Sequence, residues 1–81
     1  MSDDSVLNRI GELVDEEHGL RSRLLAGEIS TQEEHARLRE LEVALDQCWD
    51  LLRRRRAARK EGQDPDRVEA RPASEVEGYL Q

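Results

Sequence analysis

Residues 37–61 constrain the fold more than any other stretch. They open with regularly spaced leucines, pass through the chain's only cysteine and only tryptophan, and run into four consecutive arginines. Leu38, Leu41, Leu45, Cys48 and Leu52 recur at alternating steps of three and four, the seam of a coiled-coil-like helix, with Ala44, Trp49 and Leu51 beside it. Acids (Glu33, Glu34) precede the seam and bases (Arg59, Lys60) follow it, the polarity that a helix dipole favours. The pattern predicts a helix over about 31–61, roughly 45 Å long, ended by Gly62. Successive residues of a helix turn by about 100°, so Arg53 to Arg56 cannot all share one face.

A second stripe lies upstream. Val6, Ile10, Leu13, Leu20 and Leu24 keep the same steps with Glu17 in the gap, and Leu7, Val14 and Leu25 widen it. Ser2, Asp3, Asp4 and Ser5 offer N-caps and negative charge, so a first helix is expected over about 4–26. Gly11 and Gly19 weaken it by about 1 kcal/mol each relative to Ala. Between the helices, Gly27 suits a left-handed helix end, and Ser30 with Glu33 forms a capping box. So short a connection makes the helices antiparallel. Counting outward from it brings Leu13 near Leu41 and Val6 near Cys48 or Trp49. The arginine run then either projects into solvent or meets Asp3 and Asp4.

The sequence therefore divides into a helical hairpin, 1–62, and a C-terminal tail, 63–81. In the tail, Asp64 caps Pro65, so one or two turns are expected over 65–70. Arg71-Pro72 interrupts them, and a further short helix is expected over 72–80. The fold class is all-α. Its apolar stripe is wider than one partner helix covers, and small scaffolds of this kind are commonly completed by oligomerisation. The expected completion is a homodimer that makes a four-helix bundle through Leu38, Leu41, Leu45, Cys48, Trp49 and Leu52.

Composition narrows function mainly by exclusion. With 81 residues, one Trp, one Tyr and no Phe, there is too little large apolar side chain for a thick core. The net charge is -6, yet Arg53, Arg54, Arg55, Arg56, Arg59 and Lys60 carry six positive charges, leaving the rest at -12. A compact basic block on an acidic chain points to internal pairing or a protein partner before nucleic acid. One cysteine permits no intrachain disulfide. The N-terminus has no signal-peptide pattern and no apolar run is of membrane-spanning length, so a cytoplasmic protein without membrane attachment is expected.

Several residues carry a family resemblance. They are Asp15-Glu16-Glu17-His18, Glu33-Glu34-His35, Leu41-Glu42, the Leu45-Asp46-Gln47-Cys48-Trp49-Asp50-Leu51-Leu52 core, the arginine run with Ala57 and Arg59, Gly62, Asp64-Pro65-Asp66, Arg71-Pro72, Val76-Glu77 and Tyr79. Over nearly its whole length the chain resembles a family of short, uncharacterised actinobacterial proteins, a domain-of-unknown-function family. The resemblance implies a small helical protein and carries over no activity.

No constellation rises to a catalytic site, and neither an enzyme nor a cofactor is expected. His18 and His35 with neighbouring carboxylates suggest a metal layer, but Asp15 and Gln32 stand where a Glu-x-x-His pair needs glutamates. Cys48, with no second Cys or His beside it, reads as a small buried apolar side chain. The expected function is an interaction or assembly protein that self-associates and binds a protein partner through Arg53, Arg54, Arg55, Arg56, Arg59 and Lys60. The alternative is a nucleic-acid-associated regulator using the same block, although the base-reading groups of such modules are missing.

Overall fold

The fold was obtained as a computed structural model and is described for residues 2–72. Helix α1 spans Asp3–Leu25 and α2 spans Thr31–Lys60. Each begins on a serine. Ser2 Oγ accepts from the Ser5 amide, and Ser30 Oγ from the Glu33 amide at 3.0 Å, while Glu33 returns a carboxylate to the Ser30 amide at 3.3 Å. Each helix also ends alike. Gly27 and Gly62 take positive φ (74° and 79°), which lets Glu28 N–H reach the Arg23 carbonyl and Gln63 N–H the Ala58 carbonyl. The hairpin, its turn and its capping box are those expected from the sequence.

The two helices pack along their stripes in two linked clusters. Near the turn, Leu13, Leu20 and Leu41 are buried with Ile29, Leu38 and Ala44 against them. At the open end Val6 and Ile10 meet Leu51 and Leu52, and Leu45 and Cys48 touch both clusters. Val6 therefore shares a cluster with Leu51 and Leu52 as well as with Cys48, the neighbour that residue counting suggested, and α1 reaches the arginine run, Asp3 lying 2.9 Å from Arg55. At about 25 cal/mol per Å² of apolar surface, so narrow a core stabilises only modestly. The molecule measures 51 × 26 × 14 Å, one helical layer thick.

After Gly62 the chain folds back on α2. A single 3-10 turn, Pro65–Arg67, is capped by Asp64, whose side chain accepts from the Asp66 amide. Val68 packs on the Val6/Leu52 cluster, and Gln47 donates to the Arg71 carbonyl at 3.2 Å. One turn thus forms where one or two were expected, and side chains of α2 hold the returning chain by its carbonyls. The short helix expected over 72–80 falls, apart from Pro72, outside the described residues.

Candidate functional site

The structure divides the basic block in two. Arg55 is buried, its side chain 3% exposed, and its guanidinium is fully engaged. Nε donates to Asp3 Oδ1 at 2.9 Å, Nη1 to the Pro65 carbonyl at 2.9 Å, and Nη2 to Asp66 Oδ1 at 3.1 Å. Arg59 donates to the other Asp3 oxygen at 2.8 Å. Arg54 donates to the Glu69 carbonyl at 2.6 Å, and it and Arg71 both stand at ion-pair distance from Asp50. Of the two fates open to the run, contact with the acidic N-terminus is therefore realised for Arg55 and Arg59. Arg55 in particular is a structural clamp, closed to an incoming partner.

Arg53, Arg56 and Lys60 are exposed and make no ion pair with any described residue. Their spacings from Trp49 (four, seven and eleven) place all four side chains on one face of α2. Trp49 itself is 42% exposed. The same face continues toward the helix start through Asp46 and Glu42, which also lack an ion-pair partner among the described residues. It reads, in order, acid, acid, tryptophan, base, base, base.

The two flanks of the hairpin differ. On one, Arg37 bridges the helices to Glu16 at 2.6 Å and also holds Glu40, contacts that raise the Arg37 pKa. Helical rotation puts Leu7 and Val14, which are 40% and 37% exposed, on the other flank of α1, the side on which Trp49 leaves the α2 seam. The self-association face read from the sequence is split by this geometry. Leu41 and Leu52 are sealed inside the hairpin, Leu38, Leu45 and Cys48 are half-buried, and Trp49 is left outward. Sequence reading placed Leu7, Val14 and Leu25 where they widen a stripe that one partner helix does not cover, without saying which residues are left outside; all three are exposed. The position of Leu7 and Val14 at its edge, one residue after Val6 and Leu13, was the available signal.

His18 and His35 are both exposed, and among the described residues the carboxylate at ion-pair distance from His35 is that of its neighbour Glu34, at 3.9 Å. Among the described residues no three His, Cys, Asp or Glu side chains converge. Burial pushes the Cys48 thiol pKa up, against a smaller downward pull from Arg9. No described helix is long and apolar enough to cross a membrane.

Comparison with known proteins matches the sequence to relatives of similar length. Two are described as uncharacterized proteins, Rv0898c of Mycobacterium tuberculosis and Mb0922c of Mycobacterium bovis. Each is 53% identical to this chain over 78 residues, covering 96% of it and 90% of the relative. No solved structure matches. The profile of the family described as "Protein of unknown function (DUF2630)" matches residues 2–81, and the chain belongs to that family.

Proposed function

We propose that the protein is a small helical interaction module, acting in the cytoplasm, that self-associates and recognises acidic protein surface through Trp49, Arg53, Arg56 and Lys60. The observation that carries this reading is the division of the basic block. Arg54, Arg55 and Arg59 are spent on the chain's own acids and carbonyls, whereas Arg53, Arg56 and Lys60 stand unpaired beside an outward tryptophan. An aromatic anchor rimmed by cations is a common composition for a binding surface. The hairpin is one layer thick and leaves Leu7 and Val14 partly exposed, so a second layer would bury apolar surface and complete a four-helix bundle. The reading involves neither catalysis nor a cofactor.

Sedimentation velocity of the full chain over a wide concentration range tests self-association, with a reversible dimer expected. Titration with single- and double-stranded oligonucleotides tests the competing use of the same three cations. Tight binding with a steep salt slope, lost on changing Arg53, Arg56 and Lys60 to Gln, would replace the protein-binding reading with a nucleic-acid one.

A further inference from the structure

We infer that the acidic surface recognised by the basic half of the α2 face is the acidic half of the same face in a second copy, with two α2 helices crossing antiparallel about a twofold axis at Trp49. The inference rests on the interaction-module reading and specifies its partner. Glu42, Asp46, Trp49, Arg53 and Arg56 fall within about 80° of one another around the helix, so a single neighbouring helix can meet them all. Charge changes sign at Trp49. Glu42 lies seven residues before it and Arg56 seven after; Asp46 lies three before and Arg53 four after.

An antiparallel neighbour centred on Trp49 brings Glu42 opposite Arg56 of the partner. It brings Asp46 opposite Arg53 within about 1.5 Å along the axis. The twofold axis then repeats both pairs, giving four in all, with the two indoles meeting at the centre. A parallel in-register pair would instead stack acid on acid and base on base, so charge alone selects the antiparallel arrangement.

Two observations favour a second copy over an unrelated acidic protein. First, the unpaired side chains on this face are of both signs and symmetrically placed, whereas a surface built only for an acidic partner has no use for Glu42 and Asp46. Second, the isolated chain keeps like charges at helical contact spacing, Glu42 with Asp46 and Arg53 with Arg56, an arrangement that weakens a lone helix. Facing the opposite half of a second copy relieves both repulsions together. Leu7 and Val14 of α1 border the same flank and would be covered as the bundle closes. Lys60 lies beyond the paired block, beside Arg39 of the partner in this register, and makes no pair.

Charge exchange tests the pairing. One variant carries Glu42→Arg with Asp46→Arg, the other Arg53→Glu with Arg56→Glu. Glu42, Arg53 and Arg56 are exposed and Asp46 is half-buried, none of the four belonging to the buried seam, and circular dichroism checks that both variants keep the parent helicity. Each variant alone faces like charges across the axis, and its dimer should weaken by about tenfold or more in Kd. The equimolar mixture restores every pair and should form a heterodimer at the parent affinity, read by native mass spectrometry and sedimentation. A parent dimer that both variants retain unweakened would overturn the Trp49-centred geometry and leave self-association standing. Variants that dissociate but do not recombine when mixed would overturn the antiparallel pairing. A parent chain monomeric at all concentrations would overturn the inference along with self-association, leaving only recognition of other acidic proteins to test.

Discussion

Arg55 Nε lies 2.9 Å from Asp3 Oδ1, tying the first residue of α1 to the penultimate turns of α2. The contact closes the open end of a hairpin whose other end is closed covalently. It also gathers the returning chain, because the same guanidinium holds the Pro65 carbonyl and Asp66. One side chain thereby joins three segments.

Arg55→Gln should therefore lower the urea midpoint well below that of the parent, while Arg53→Gln and Arg56→Gln, compared with the parent at a protein concentration below the dimer Kd, leave it nearly unchanged. Removing Arg55 leaves Asp3 with Arg59 alone and strands the Pro65 carbonyl, and lysine cannot replace it, since its three donors radiate from one nitrogen and cannot reproduce the planar fork that reaches all three acceptors. Far-ultraviolet circular dichroism melts at matched protein concentration check this. Equal midpoints for the three variants would show that the clamp is not structural.

The same contacts set an acid limit to stability. Hydrogen bonds first from Arg59 and then from Arg55 hold the Asp3 carboxyl below its ordinary pKa of 3.8. A folded-state pKa below the unfolded one contributes stability that is complete above the unfolded value. That contribution is lost as pH falls through the depressed folded value. The thermal midpoint should fall below about pH 4, and Asp3→Asn should flatten this limb while lowering the midpoint at neutral pH. An unchanged acid limb in Asp3→Asn would assign the loss to other carboxylates.

Most of the hairpin was legible in the sequence, because each signal in it was local. The stripes, the Ser30/Glu33 box and the two glycines that end the helices depend on neighbours within about a turn. The clamp was legible too, but only by extending both stripes past their last apolar residue. The steps that end at Leu52 continue to Arg55 and Arg59, and those that begin at Val6 continue back to Asp3. The seam thus carries on in charged residues facing one another. What local pattern could not supply is the returning chain. The hydrogen bonds from Arg55 and Arg54 to the Pro65 and Glu69 carbonyls carry no residue code on the acceptor side. Nor could it separate Leu7 and Val14 from the core, because the width of a buried stripe depends on how many helices cover it.

The four glycines among the described residues divide into two pairs with opposite expectations. A methyl group at Gly11 or Gly19 meets nothing within 4 Å, so neither position serves close packing in the hairpin. Gly11→Ala and Gly19→Ala should each stabilise by up to about 1 kcal/mol through helix propensity. Gly27→Ala and Gly62→Ala force a side chain into the left-handed region and should destabilise by about 1 kcal/mol. Denaturant melts separate the pairs. Destabilisation by Gly11→Ala or Gly19→Ala would reveal a partner seated on that part of α1.

Cys48 provides a probe of the seam that needs no unfolding transition. It is half-buried between the two core clusters, and burial raises its thiol pKa above the ordinary 9.0, while Arg9 pulls the other way. Only the thiolate attacks a disulfide reagent, so both the raised pKa and the limited access slow the reaction at neutral pH. The native chain should react with an aromatic disulfide about tenfold or more slowly than the urea-unfolded chain. Arg9→Gln removes the one attraction that favours the thiolate, so it should slow the native reaction further and leave the unfolded rate unchanged. Raising the pH should speed the native reaction through and beyond the pH at which the unfolded chain levels off. A native rate equal to the unfolded one would mean that the Leu45–Leu52 part of the seam opens freely, contradicting the packing described for α2.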